Sequence, residues 1–381
     1  MSLGDVCTIS SSKRIFAKEY KTEGIPFYRG KEIIEKHNGS TVSTELFISL
    51  ERYEEIKSKY DVPKKGDILL SSVGTLGVPW LVNEDNFYFK DGNLTWLRSN
   101  EKIIPDYLYF WLTSDEAQNQ IDSKCIGSTQ KALTIEALKK FKITLPNVEV
   151  QKKIVSMIKP IELKIDINRR INNNLEQQAQ AIFKSWFVDL EPFSNRKPSD
   201  WSVSTLGNVS IMGAGGDKPQ NVSPIKTDLY KYPIYSNGLS NEGLYGFTDK
   251  PKISEESVTV SARGTIGFVC LRHIPYVPIV RLVTLTPKTE IISAKYLYLW
   301  LKQLHITGTG TTQQQLTVPV FQKTEILVPS QEIVTLFTAT VDPIFEKIWA
   351  NQNENEKLSS LRDTLLPKLI SGELDVSSID L

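Results

Sequence analysis

Cysteine is scarce in this 381-residue chain, and Cys7, Cys125 and Cys270 stand apart with no pair at metal-binding or redox spacing. That speaks against a disulfide framework or a zinc knuckle, and an odd number of isolated thiols fits a reducing compartment. Long apolar runs are missing as well. No stretch of about 18 apolar residues occurs, and the opening MSLGDVCTIS lacks a charged head followed by an apolar block. A cytoplasmic protein is therefore expected. Catalytic signatures are absent too: there is no GxxxxGK[ST], HExxH, CxxC or GxSxG, and no Asn/Asp-Pro-Pro-aromatic run of the kind an amino-methyltransferase carries. GAGGDKP (residues 213–219) is glycine-rich but wrongly spaced for a phosphate loop and reads as a surface loop. His37, His273 and His305 are solitary, which suits a structural or surface role better than that of a metal ligand or base. The expectation is a non-enzyme with no metal and no cofactor of its own.

Net charge is also small, +1 overall, but it is unevenly spread. Residues 1–146 carry 20 basic and 20 acidic side chains and residues 147–194 carry 7 and 6, whereas residues 195–329 carry 14 and 9 and residues 330–381 carry 4 and 9. Phosphate binding needs a local basic surface and not a basic total, so the block 195–329 keeps nucleic acid open as a partner.

What the chain does have is itself, twice. GSTQKALTIEALKKFKITLP (127–146) and GTTQQQLTVPVFQKTEILVP (310–329) align without a gap at a shift of 183 residues, with eight of twenty positions identical. Upstream, DILLSSVGTLGVPWL matches SVTVSARGTIGFVCL and DYLYFWLTSD matches KYLYLWLKQL. In each copy β-rich runs come first and helical runs follow, which predicts α+β globular units. The expected layout is a first globular block over 1–146, a helix over 147–194, a second block over 195–329 and a second helix over 330–381.

The helical stretches have a period of 3.5. Alternating steps of four and three connect Ile154, Ile158, Ile161, Ile165, Asn168, Asn172, Leu175, Ala179, Ile182 and Trp186. A shift of 183 gives Phe337, Val341, Ile344, Ile348, Asn351, Asn355, Leu358, Arg362, Leu365 and Leu369. Four heptads imply long helices that face another helix, each spanning ~50 Å at 1.5 Å per residue. Two asparagines at the middle of each seam favour an antiparallel pair, Asn168 and Asn172 meeting Asn355 and Asn351, because buried polar side chains select the register in which they meet. Such a pair has a pseudo-twofold axis across it and would place the globular blocks at opposite ends of a coiled-coil spacer. Pro160 and Pro343 predict a kink or a start of the regular helix, with 147–160 as a docking turn.

Candidate contact residues also come in matched sets. SSVGTLG (71–77) and SARGTIG (261–267) each follow a strand with a Gly-Thr-x-Gly turn whose amides and hydroxyls suit phosphate or base contact, although a plain hairpin needs the same glycines. This singles out Ser71, Ser72 and Thr75 in the first copy and Arg263 and Thr265 in the second. Thr129, Gln130 and Lys131, and their counterparts Thr312, Gln313 and Gln314, include glutamine, which reads adenine bidentately; helix capping around Thr134 and Thr317 is the equal alternative. Lys13, Arg14, Arg29 and Lys31 lie near aromatics in the first block, and Lys218, Lys226, Lys231, Tyr235 and Asn237 play the comparable part in the second.

These features resemble the specificity subunits of type I restriction-modification systems. The resemblance covers nearly the whole chain and rests on LGDV and LGNV opening the halves and on GTLG and GTIG. It rests also on the paired Thr/Gln passages and on AQAIFKSWFVDLEPF and LRDTLLPKLISGEL ending the helices. It implies two target recognition domains, each reading one half of a split double-stranded DNA sequence, on a helical spacer. It further implies DNA adenine methyltransferase subunits and a translocating restriction subunit as partners, with S-adenosylmethionine, ATP and magnesium bound there and no chemistry in this chain. The chain departs from strict duplication in its second half, whose lead-in PSDWSVSTLG has no counterpart before Leu3. The two blocks also diverge outside the turns, so an asymmetric target is expected. A helical scaffold that joins proteins without reading DNA is the alternative.

Overall fold

The computed structural model describes residues 1–381 except 40, 41, 43, 126–131, 239, 309–314 and 377–381. Two compact units emerge: residues 1–171 with 350–381, and residues 172–349. Two long helices, Val148–Phe187 and Gln331–Ser371, each contribute one stretch to each unit.

Within the first unit a four-stranded antiparallel sheet runs in the order Cys7–Ser10, Leu94–Ser99, Ile68–Ser71, Pro79–Leu81. Ile68–Ser71 is buried at all four positions because both of its faces are covered, Ile68 and Leu70 by one core and Leu69 by another, and a short unbroken apolar run suits such a strand. A smaller three-stranded sheet centres on Ile25–Tyr28, antiparallel to Phe47–Ile48 and parallel to Tyr88–Phe89. The second unit repeats this plan, with Ser210–Ala214, Leu282–Pro287, Ser257–Ser261 and Val269–Arg272 in the same order and Tyr232–Tyr235 between Leu244–Thr248 and Val277–Pro278. The α+β duplication is therefore a duplication of topology. What differs is the insert after the central strand of the small sheet. The first unit places the helices Gly30–His37 and Leu50–Tyr60 there, while the second has a left-handed run at Asn241, Glu242 and Gly243 with φ of 47°, 53° and 82°. The second unit's lead-in forms Ser202–Thr205, paired with Glu325–Val328, where the first unit has the bridge Ser2–Lys142.

Each unit buries its own stretch of both long helices. In the first, Ile154, Ile158, Leu366, Leu369 and Ile370 join Leu3, Leu70, Tyr107 and Trp111 in one core. In the second, Ala179, Phe183, Phe187, Phe337, Val341 and Phe345 join Val258, Leu285 and Tyr296. A fully buried aliphatic or aromatic side chain contributes roughly 1.5–3 kcal/mol, so the helices are held chiefly by these faces and not by helix propensity. All the seam residues, including Ile161, Leu175, Ile182, Trp186, Ile344, Leu358 and Leu365, are buried or half-buried. The buried face is wider than the seam because Phe183, Phe187, Phe345, Leu366 and Ile370 belong to the globular cores as well.

The expected docking turn does not form, and neither proline starts or ends its helix. Helix begins at Val148, where the Asn147 side-chain oxygen accepts the Val150 amide at 2.9 Å, and it continues through Pro160 to Phe187. Proline there removes one backbone bond, a loss of about 3 kcal/mol in a helix interior. The burial of Ile154, Ile158 and Ile165 on either side offsets it. Pro343 lies inside the second long helix in the same way.

Antiparallel pairing is written in side-chain bonds. In the first unit the Asn168 amide donates to Asn355 Oδ1 at 2.9 Å and to Glu354 at 2.8 Å, Asn355 donates to the Ile165 carbonyl at 3.5 Å, and Arg362 meets Glu162 at 2.8 Å. In the second the Asn172 amide donates to the Ile348 carbonyl at 3.1 Å. Partner numbers on one helix fall as numbers on the other rise. Asn168 is 1% exposed. Asn168→Ala removes the donor shared by two acceptors, so unfolding free energy should fall by about 1–3 kcal/mol, seen as a lower urea midpoint at unchanged slope.

Candidate nucleic-acid interface

Each unit closes one hairpin with the same turn. In the first, the Gly77 amide donates to the Ser71 carbonyl at 2.8 Å and the Ser71 amide to the Val78 carbonyl at 3.0 Å; in the second, Gly267 donates to Ser261 at 3.0 Å and Ser261 to Phe268 at 2.9 Å. Both glycines of each turn are left-handed, with φ of 81° and 74° at Gly74 and Gly77 and of 76° and 84° at Gly264 and Gly267. Space is short as well: a Cβ on Gly77 would stand 2.7 Å from Ile121 Cδ1. The turn itself therefore requires its glycines.

The turn then anchors the second duplicated motif. Leu133 donates its amide to the Ser72 carbonyl and Leu316 donates to the Ala262 carbonyl, each at 2.9 Å. These bonds bring the end of each Thr/Gln passage against its turn. Thr129, Gln130, Lys131, Thr312, Gln313 and Gln314 themselves lie outside the described residues. Thr134 caps the short helix Ile135–Lys139, accepting the Ala137 amide at 3.1 Å, so the capping alternative holds for that hydroxyl.

Several expected contacts are occupied by the fold. Ser71 and Ser72 are 0% and 3% exposed: Ser71 Oγ accepts the Val78 amide at 2.9 Å, and Ser72 Oγ bonds Thr95 at 2.6 Å. These two serines belong to the sheet interior and are not available as contacts, which leaves exposed Thr75 at the tip. Arg29 precedes the helix Gly30–His37 and binds Glu32 through its backbone amide and its guanidinium, both at 2.8 Å. Burial pushes the Glu32 carboxyl up, but the hydrogen bonds from Arg29 outweigh it and hold the pKa below its ordinary value. Arg14 pairs with Asp91 at 2.9 Å, and Lys31 with Glu35 at 3.7 Å. Lys13 Nζ stands 4.3 Å from the Tyr60 ring centre, an exposed cation beside an exposed aromatic.

In the second unit Tyr235 packs against Arg272, whose guanidinium carbon is 3.7 Å from the ring centre, and burial pushes the phenol's pKa up. Tyr235 is thus a half-buried packing residue and not a free stacking platform. Arg272, 3% exposed, donates to Thr259 at 3.0 Å, to the Glu242 carboxylate at 2.9 Å and to the Glu242 carbonyl at 2.7 Å. It pins the left-handed run. Arg272 was not singled out from the sequence: alternation puts it on the same face as Cys270, but only the long-range pairing with Ser257 shows that face to be interior.

Asn237 proves to be a positioning residue. Its side-chain amide donates to the Arg263 carbonyl at 2.7 Å, and its own carbonyl accepts the Thr265 hydroxyl at 2.8 Å and the Ser261 hydroxyl at 3.5 Å. Asn237, Arg263 and Thr265 therefore do converge on one turn. Lys218 is exposed with its ammonium 5.7 Å from the Tyr245 ring centre, and Lys226 and Lys231 are exposed on the connection leading to Tyr232. The histidines are structural where the contacts are explicit: His37 Nδ1 lies 2.8 Å from the Pro79 carbonyl, and His273 stacks on Trp349 at 4.2 Å, its pKa pushed down to about 4 by burial and by Lys295 and Arg272. Among the described residues no cluster of three or more histidine, cysteine, aspartate or glutamate side chains could hold a metal ion, and no helix is long and apolar enough to cross a membrane.

One turn built twice on one topology, with different side chains around each copy, defines a class of internally duplicated two-unit protein. The chain belongs to the type I restriction modification DNA specificity domain family, whose model matches residues 1–177 and 198–360. It is 26% identical to the specificity subunit of the type I restriction enzyme HindI of Haemophilus influenzae, over 84% of this chain and 90% of that one. The MjaIX specificity subunit of Methanocaldococcus jannaschii is 27% identical, over 83% and 79%. A putative type I specificity subunit of Mycoplasma pneumoniae is 32% identical, over 67% and 68%. Among solved structures, the S subunit of a type I restriction-modification system from M. genitalium has the same fold, with a TM-score of 0.56 at 17% identity over 97% of this chain and 95% of that one. Family membership sets aside the scaffold alternative.

Proposed function

We propose that this chain is the non-catalytic reading subunit of a type I restriction-modification complex, residues 1–146 and 195–329 each recognising one half of a split, asymmetric DNA target. The segments 147–194 and 330–381 fix the separation of the half-sites and dock DNA adenine methyltransferase subunits, to which a restriction and translocation subunit is added. S-adenosylmethionine, ATP and magnesium bind those partners, and this chain needs no cofactor. The observation that carries the reading is the turn at 71–77 and 261–267: the bonds that close it and the bond that anchors it to Leu133 or Leu316 are the same in both units, while the residues around it are not. A shared frame with unlike side chains is what two readers of unlike sequences need. Half-site centres about one helical turn of DNA apart, ~34 Å, would let both be read from one face. With a net charge of +1 the isolated chain binds DNA weakly, and the assembled complex gains its phosphate contacts from the partners.

The test is to co-express the chain with its methyltransferase subunit and map N6-methyladenine in host DNA. Exchanging residues 1–146 for those of a relative should change one half of the methylated motif, and exchanging 195–329 should change only the other. A motif that is continuous, or whose halves change together, rejects the reading.

A further inference from the structure

We infer that Arg263 is the residue with which the second unit reads a guanine. The inference rests on that unit being a DNA reader and names the base it recognises. Arg263 sits where Asn237 and Thr265 converge, and its backbone is locked from several directions. Its carbonyl accepts the Asn237 side chain at 2.7 Å and the Thr265 amide at 3.0 Å. Its neighbour Ala262 donates to the Arg281 carbonyl at 2.8 Å and accepts the Leu316 amide at 2.9 Å. Two left-handed glycines, Gly264 and Gly267, complete the turn.

Rigid backbone is joined to a half-buried side chain that no described residue pairs. Among the described residues the Arg263 guanidinium has no hydrogen-bonding or acidic partner. Arg14, Arg29, Arg272 and Arg362 are by contrast matched to Asp91, Glu32, Glu242 and Glu162; Arg169, Arg196 and Arg281 share the unmatched state, but none of these three lies on the duplicated turn. A planar fork of donors carried on a fixed backbone, and not neutralised by any described residue, suits the paired O6 and N7 acceptors that guanine presents in the major groove. Pre-organisation matters because an arginine on a mobile loop follows any phosphate, whereas one on a locked turn meets acceptors in one place. The turn's counterpart in the first unit carries Val73 at this position. Valine has no donor, so the first unit cannot read a guanine from that point, and one residue on a common frame separates the two readers.

The experiment is the methylome of hosts expressing the complete methyltransferase complex with wild-type chain, Arg263→Ala or Arg263→Lys. The half-site owned by residues 195–329 is fixed by the domain exchange described above. In Arg263→Ala one G·C position of that half-site should become degenerate, discrimination there falling about 5- to 150-fold, as for one bidentate pair, while the other half stays strict and thereby reports a folded complex. Arg263→Lys keeps the charge without the fork and should be as permissive at the same position. Several results overturn the assignment: an unchanged motif in Arg263→Ala, a uniform fall in methylation at every site, which marks a phosphate contact, or full fidelity in Arg263→Lys. A wild-type chain that directs no split motif overturns the recognition reading itself, and the assignment with it.

Discussion

Phe183→Ala should destabilise the second unit by about 3–5 kcal/mol, the cost of emptying a buried aromatic site. Phe183 is 0% exposed, and its ring centre lies 5.1 Å from Phe187, 5.4 Å from Tyr296, 5.8 Å from Phe337 and 6.2 Å from Trp300. These rings come from both long helices and from the helix Ala294–Gln303, so no single element can close the gap by a local shift. At 2–4 °C per kcal/mol for a unit of this size, calorimetry should show the melting of residues 172–349 falling by roughly 6–20 °C. A shift of only a degree or two would mean that the cluster is not the centre of that core.

The second large effect belongs to Arg272→Ala, for which we expect a loss of about 2–4 kcal/mol. The ion pair with Glu242 is not the main reason, because that carboxylate is 49% exposed and well screened. More weight lies on the buried bonds to Thr259 and to the Glu242 carbonyl, and on the guanidinium packed on Tyr235 at 3.7 Å. Without them the left-handed run Asn241, Glu242 and Gly243 loses the side chain that pins it, and two of these residues are not glycine. The Ser236 amide, bonded to the Gly243 carbonyl at 2.8 Å, should lose hydrogen-exchange protection in the variant. Arg272→Lys should recover little, since an ammonium cannot make three directed bonds and stack at once. Protection at Ser236 equal to wild type in Arg272→Ala would reject this account.

Both effects involve residues that the sequence presents unevenly. Phe183 lies in an apolar cluster at the end of a heptad run and is legible as a helix-end anchor. Arg272 is one cation among many until strand pairing is known. The same contrast runs through the candidate interface. Glycines at 74, 77, 264 and 267 are legible because a left-handed turn admits little else, and they recur at matching places. Ser71 and Ser72 look identical to contact residues in one dimension, yet the sheet takes both into its interior through Val78 and Thr95. Pro160 looks like a break, but the packing of Ile154 and Ile158 is a tertiary term that a local rule does not contain.

By itself the sequence determined the duplication, the α+β class of each unit, the period of the long helices and the polar layer that sets their register. All of these are carried by spacing, and spacing survives without coordinates because strands and helices repeat at fixed intervals. Only the tertiary structure decided which polar and charged side chains remain available. Arg29 and Arg263 are the same residue in comparable basic settings, but Glu32 holds one and no described residue holds the other. Availability is what remains after every nearby partner has been matched, and those partners come from distant parts of the chain.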